Sequence, residues 1–292
     1  MKITVFTPTY NRGYILPKLY ESLYVQCSND FEWIIVDDGS NDNTEEIVRE
    51  WMNIDNGFDI IYKKQPNGGK HRAINAGVKI ARGELFFIVD SDDYLLPDAI
   101  EKLLQWRSGL DGSHKWAGIA GLRGYTADRC IGGNGRGNKY VDAKNTEREK
   151  YHLGGDKAEA YFTDVLRKHP FPEFDGENFL TEEVVWNAIA ADGYYIRWFS
   201  QIIYICNYLE DGLTKNGDEK NKQNPVGMLC WAKGQLKAFP HSFKKRLHVV
   251  YSYYNVVKNA KKISVLSREL GVSRFFCVVA IFLGNIKRKV IG

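Results

Sequence analysis

The five cysteines, Cys27, Cys130, Cys206, Cys230 and Cys277, are odd in number, widely spaced and without a Cys-x-x-Cys pair. That excludes a thiolate zinc site and a disulfide framework, and predicts reduced thiols of the kind found in the cytoplasm. The six histidines form no His-Glu-x-x-His pattern. Long apolar runs are missing too: the stretch 275–283 falls well short of the ~20 residues a membrane-spanning helix needs. No internal repeat is visible. The segment Met1-Lys2-Ile3-Thr4-Val5-Phe6 runs straight into a strand pattern, with no room for a signal peptide. A glycine-rich stretch, 132–138, lacks the Gly-Lys-Ser/Thr of a phosphate loop, and reads as a surface loop or as a lid over an acceptor.

With 292 residues, 44% of them hydrophobic and 26% charged, the chain can bury a core for one catalytic domain plus an appendage. The 13% aromatic content suits packing, sugar rings or a membrane interface. The net charge of +4 is unevenly placed. Residues 243–292 hold eleven Lys/Arg against the single acid Glu269, which is +10 and leaves −6 for the remainder. A basic tail on an acidic body points to an anionic partner, membrane or nucleic acid.

Apolar strand patterns at 2–7, 31–37, 58–63, 84–90 and 116–121 alternate with helical patterns at 14–27, 44–52, 70–81 and 97–107. Strands that are apolar throughout and separated by helices predict an α/β fold, a mostly parallel sheet covered on both faces. Such sheets bind ligands at the carboxyl ends of their strands. Further on, the pattern predicts a helix from Thr181, strands at 194–199 and 202–208, and helices from Pro225 onward.

Four polar loops fall at those strand ends. Asp90-Ser91-Asp92-Asp93 closes an apolar strand, and carboxylates so dense suit a hard divalent cation that bridges a diphosphate; otherwise they form a solvated turn capping the next helix. Asp37-Asp38-Gly39-Ser40 offers a carboxylate for a uracil imino N–H, with Gly39 allowing close backbone approach; the alternative is an ordinary strand-to-helix turn. Thr7-Pro8-Thr9-Tyr10-Asn11-Arg12 offers backbone groups and the Tyr10 ring to a base and ribose. Asn67-Gly68-Gly69-Lys70 opens a helix whose amides, with Lys70, suit phosphate oxygens.

In this order, and with Ala73, Asn75 and Gly77 after the third, the four motifs resemble the family 2 glycosyltransferases of bacterial polysaccharide type. The resemblance covers roughly the first 110 residues. It implies a GT-A, Rossmann-like sheet with flanking helices in residues 1–225, a nucleotide-binding half at 1–125 and an acceptor-binding half at 126–225. Residues 226–292 would then form a basic helical extension. It further implies transfer, with inversion, of a sugar from a UDP-sugar to an acceptor hydroxyl on a lipid-linked saccharide or polysaccharide. Mn2+ or Mg2+ would be held by Asp92 and Asp90. Donor contacts would come from Thr7, Pro8, Tyr10, Arg12, Asp37, Asp38, Gly69, Lys70, Asp90 and Ser91.

Inversion needs a carboxylate to take the acceptor proton. The acidic segment 171–183 resembles the one that carries the base in relatives, and Glu182, then Glu183, are the candidates; a helix N-terminus favours either as an anion. Segment 208–215 resembles a loop that closes over the donor, with Lys215 either at the diphosphate or, the plainer reading, a surface lysine. The apolar run 275–283, flanked by Arg268, Arg274 and Lys287-Arg288-Lys289, predicts either association of residues 268–292 with an anionic membrane surface or a helix packed on the catalytic domain with its basic ends in water; the resemblance implies that the membrane surface is the cytoplasmic one. Two rivals remain: a sugar-1-phosphate nucleotidyltransferase, whose Gly-rich Thr-Arg loop is missing, and a nucleic-acid module using the tail, for which no motif is present.

Overall fold

The computed structural model describes residues 2–207 and 217–291. Strand β1 (Ile3–Thr9) is buried at every position but Pro8, and β2 (Phe31–Asp37) at every position. They are followed by α1 (Leu16–Tyr24), α2 (Thr44–Met52), β3 (Asp59–Lys64), α3 (Lys70–Ile80) and β4 (Leu85–Ile88), which alternate with them along the chain. The four strands pair in the order β3-β2-β1-β4, all parallel. Successive side chains point to opposite faces. Ile3, Val5, Trp33, Ile35 and Phe87 therefore meet Leu16, Leu19 and Leu23 of α1. Phe6, Ile34, Val36 and Phe86 meet Ala73, Ile74 and Val78 of α3 on the other side. Two apolar layers explain why these strands read as unbroken apolar runs rather than alternating ones.

Beyond β4 come β5 (Tyr94–Leu95), α4 (Ala99–Ser108), β6 (Trp116–Gly124), β7 (Tyr140–Ala143), β8 (Lys157–Phe162), α5 (Thr163–Lys168), α6 (Glu183–Ala191) and β9 (Tyr195–Ile205). The sheet continues β4-β8-β6-β9-β5, with β7 on β9. Strand β8 runs antiparallel to both its neighbours, so the direction changes where the nucleotide-type half ends. The two strands expected at 194–199 and 202–208 are one strand. Ser200 and Gln201 sit where the pairing of β9 with β6 shifts register, so an irregularity absorbs the polar break without ending the strand.

The glycine-rich stretch is docked, not free. Gly133 N donates to Gly154 O at 2.8 Å and Gly135 N to His152 O at 3.1 Å. A Cβ on Gly132 would lie 2.2 Å from Gly154 O, so only glycine permits the approach.

Helices α7 (Gly217–Gln223), α8 (Pro225–Ala238), α9 (Phe243–Val257), α10 (Ile263–Leu270) and α11 (Arg274–Ile291) close the chain. The last four share a core of their own, built on Met228, Ala232, Val250, Tyr253, Leu266 and Cys277. Glu177 ties this core to the sheet domain: its carboxylate accepts from Val226 N and Gly227 N, both at 2.7 Å, in the first turn of α8. Asn224 Oδ1 accepts from Asn178 N and Phe179 N in turn. On α11, Phe275, Val278, Phe282 and Ile286 form an exposed stripe; Phe275 is 78% exposed and Phe282 63%. Among the described residues no single helix is long and apolar enough to cross a membrane, and α10 with the first part of α11 passes only as a pair bent by 109°.

Candidate active site

The loops after β1 and β2 are laced together at the carboxyl edge of the sheet. Asp38 N donates to Thr9 O at 2.8 Å, and Asn11, in the left-handed region at φ 53°, donates its N–H to Ser40 Oγ at 2.8 Å. Asn11 Oδ1 accepts from Asn41 N. This leaves Tyr10 46% exposed at the rim, with Pro8 and Arg12 half-buried beside it.

Asp38 is buried and organises the neighbouring loop. Its Oδ1 accepts from Gln65 Nε2 and Gly68 N, and its Oδ2 from Gly69 N at 2.7 Å. A carboxylate has about four acceptor positions, so one on Oδ2 is left for a ligand N–H. Gly39, at φ 89°, brings its backbone against Asn67 N. Gly69, at φ 92°, faces Asn178 O so closely that a Cβ would sit 1.8 Å from it. The 65–70 loop is thus clamped between the β2 end and the acidic segment before α6.

That acidic segment is gripped by α3. Arg72 Nη1 donates to Gly68 O and Glu177 O, and Nη2 to Phe174 O at 2.7 Å. Asn75 exchanges hydrogen bonds with Phe171 N and O and donates to Glu173 Oε1. The outcome is that Glu182, at the N-cap of α6, meets Lys70 of α3: the Lys70 Nζ to Glu182 Oε1 distance is 2.7 Å, and Nζ to Asp90 Oδ1 is 2.5 Å. One ammonium joins the end of β4 to the start of α6. Burial alone would lower the Lys70 pKa, but the Asp90 and Glu182 carboxylates outweigh it and raise it.

Behind Asp90 stands a second cation that the sequence reading missed. Arg123 of β6 donates to Asp90 Oδ2 at 3.2 Å and lies 4.2 Å from the centre of the Tyr204 ring. Tyr204, fully buried, donates its hydroxyl to Asp93 Oδ2 at 2.7 Å and accepts from Asp90 N at 2.9 Å. Burial resists ionisation of Asp90, yet Lys70 and Arg123 hold its carboxyl well below the usual range. Asp93 goes the other way: burial, then the Asp90 charge, push it up to about 7. Neither partner was legible in sequence, because Arg123 and Tyr204 belong to plain apolar strands and act only through the pairing of β6 with β9.

Asp92 is the carboxylate left over. It has no ion pair among the described residues, and burial and the Asp90 charge raise its pKa. A hard cation would relieve that stress, and oxygen donors suit Mn2+ or Mg2+. Among the described residues, however, no group of three or more His, Cys, Asp or Glu is arranged to hold a metal alone. The fit is that of Asp92, with Asp90, completed by oxygens from a ligand.

Several of the residues expected to contact the donor have side chains that the fold already engages. Thr7 and Asp37 are fully buried with their side chains engaged: Thr7 Oγ1 accepts from Trp33 Nε1, and Asp37 accepts from Ser40 N and Tyr62 OH. Both side chains brace the sheet edge. Ser91 is buried as well. The helix expected from Thr181 begins at Glu183, and Glu183 turns away from Lys70 to accept from Trp231 Nε1 at 3.0 Å. Lys215 and the 208–215 loop lie outside the described residues; Thr9 Oγ1, buried at the β1 end with no hydrogen-bond partner among the described residues, is a polar atom the sequence reading passed over.

Residues 4–108 match the family model "Glycosyl transferase family 2". These residues belong to glycosyl transferase family 2. The family 2 segment is 40% identical over 103 residues to the glycosyltransferase GlyG of Streptococcus pneumoniae serotype 4, covering 35% of this chain and 34% of that one. It is 36% identical over 108 residues to the GalNAc(5)-diNAcBac-PP-undecaprenol beta-1,3-glucosyltransferase of Campylobacter jejuni, covering 36% and 34%. The chain thus spans about a third of the length of these curated relatives. In structure it is similar to S. aureus TarS in complex with UDP-GlcNAc, with a TM-score of 0.63, 18% identity, and 96% and 88% of the two chains covered. It is also similar to a Pyrobaculum calidifontis mannosyltransferase bound to GDP-Man and Mn2+, at TM-score 0.55, 17% identity, 98% and 87%. These likenesses extend the GT-A-like fold beyond the family 2 segment to the whole chain.

Proposed function

We propose that the chain is an inverting glycosyltransferase that moves a sugar from a UDP-sugar to an acceptor hydroxyl, with Glu182 as the base. The observation that carries this reading is the single Lys70 ammonium held by Asp90 on one side and Glu182 on the other. It sets a carboxylate at a helix start beside the acidic strand end of a family 2 domain. Support for the donor comes from the relative whose structure holds UDP-GlcNAc.

In this reading the uridine lies along Pro8, Tyr10 and the open position of Asp38, and Arg12 closes the rim. The acceptor oxygen attacks the anomeric carbon while Glu182 takes its proton. The bond from that carbon to the diphosphate oxygen breaks, and its electron pair leaves with UDP. The N-terminal amides of α6 favour the anionic base. Lys70 and Arg123 are already paired with Asp90, Asp93 and Glu182, and Asp92 has no ion pair among the described residues, so a diphosphate needs further positive charge to settle there. Asp92, with Asp90, would hold Mn2+ or Mg2+ for that purpose; the chemistry so supplied is neutralisation of the departing phosphate.

The exposed stripe of α11, ending in cationic residues, supports peripheral attachment to an anionic membrane at its cytoplasmic face, where a lipid-linked saccharide would be met. The test is calorimetry with UDP, with and without Mn2+, followed by a screen of UDP-sugars for UDP release. Mn2+-dependent UDP binding is expected. Salt-sensitive RNA binding without UDP affinity would replace this reading with the nucleic-acid one.

A further inference from the structure

A groove of about 1450 Å3 lies among the C-terminal helices α7, α8, α9 and α11, and the sheet domain touches it at one end. Its near end is formed by Phe179 and Thr181, the residues leading into Glu182. Its floor is one face of α9: Lys244, Leu247, Tyr251, Asn255 and Lys258 recur at three to four residue steps, so the helix lines it along its whole length. At ~1.5 Å per residue that floor is roughly 20 Å long, enough for an extended chain and more than a single sugar needs.

The lining has one sign of charge. Lys222, Lys244, Lys258 and Lys287 contribute to it, and among the described residues no aspartate or glutamate does. Lys222 pairs with Glu219 at 3.4 Å, but Lys244, Lys258 and Lys287 have no ion pair among the described residues. A cleft lined by unpaired cations with no acid concentrates anions. Trp231 and Tyr251 supply ring faces, and Asn221, Ser252 and Asn259 supply amides and a hydroxyl between them. Phe179, Met228, Leu247, Val256 and Leu283 supply apolar wall against which the faces of sugar rings pack, while the lysines, amides and hydroxyl meet carboxylates and hydroxyls.

We propose that this groove is the acceptor subsite and takes an acidic saccharide chain, one bearing carboxylate or phosphate groups, with its growing end at Glu182. This rests on the transferase reading above and names the acceptor class for that same site. Trp231 links the two, because its indole N–H donates to Glu183, the residue after the base. Position along the chain is then read by the lysines, while Glu182 meets the terminal hydroxyl.

The experiment uses the full chain and a size-defined hyaluronan octasaccharide, its carboxyl-reduced neutral counterpart, a decauridylate RNA and phosphatidylglycerol vesicles. The acidic octasaccharide should bind about tenfold or more tightly than the neutral one. The variant Lys244→Glu/Lys258→Glu should lose that binding while keeping its melting temperature and its Mn2+-dependent affinity for UDP. Equal binding of the two octasaccharides, or unchanged binding in the variant, overturns the proposal. So does an octasaccharide that fails to bind while RNA or vesicles bind through Lys244 and Lys258. If the unaltered chain binds no UDP, the transferase reading itself falls; if it binds UDP but no acidic glycan, only the groove assignment does.

Discussion

Lys70 Nζ lies 2.7 Å from Glu182 Oε1, although 112 residues separate them in the chain. Glu183, the next residue, points to Trp231 instead. Their roles should therefore separate. Glu182→Gln is expected to lower turnover by about 10²–10⁴-fold with UDP affinity little changed, the usual scale for removing a general base. Glu183→Gln should stay within about threefold of the parent. Steady-state rates with calorimetric UDP binding distinguish them, and a fully active Glu182→Gln enzyme would move the base elsewhere.

Asp92 carries the metal prediction. Asp92→Asn should leave the fold intact and abolish the Mn2+-dependent part of UDP binding, since the buried charge that a cation would relieve is gone. Calorimetry with and without Mn2+ reads this directly, and a retained metal dependence refutes the assignment.

Arg72 holds the segment leading into Glu182 by two backbone carbonyls, those of Phe174 and Glu177, and the 65–70 loop by that of Gly68. Arg72→Ala strands those acceptors and should cost about 2–4 kcal/mol in urea unfolding. Because the segment ends at Glu182, turnover should fall further than stability alone explains. A loss under about 0.5 kcal/mol would show that the clasp is dispensable.

Asp93 predicts a pH effect on stability of the metal-free protein. Its folded pKa is pushed up to about 7, by burial first and the Asp90 charge second, against about 3.9 for an unfolded aspartate. Between those values the folded state binds the extra proton, so this contribution to stability declines as pH rises from about 4 to 7. Asp93→Asn resembles the protonated form and should flatten that decline. Urea midpoints at pH 5 and pH 8 test it; a decline as steep in the variant would assign it to another group.

The α11 stripe gives a surface prediction. Phe275→Ser/Phe282→Ser should reduce partition onto phosphatidylglycerol vesicles about tenfold or more, given the burial worth of two phenylalanine rings. UDP binding should be unaffected. Unchanged flotation with vesicles would contradict the membrane reading.

Much of the nucleotide-type half was legible because it is local. Strand β2 and helix α2 have the bounds their apolar patterns gave, and the four loop motifs meet at one edge because parallel strands send their carboxyl ends there. What misled were Thr7 and Asp37. They belong to the motifs, but their side chains turn inward to Trp33, Ser40 and Tyr62, an orientation set by strand alternation and neighbouring volume. Arg123 and Tyr204 carried no local signal at all.

By itself the sequence determined the order of strands and helices as far as β4, the acidic end of that strand and the basic charge of the C-terminal helices. Periodicity and charge are properties of short stretches, so they survive without a fold. The tertiary structure alone decided which carboxylate meets Lys70, that Arg72 and Asn75 clasp the segment before α6, and that Lys244, Lys258 and Lys287 line one groove. Those relationships join residues far apart in the chain, and only packing the two cores against one another brings such groups within hydrogen-bonding or Coulombic range.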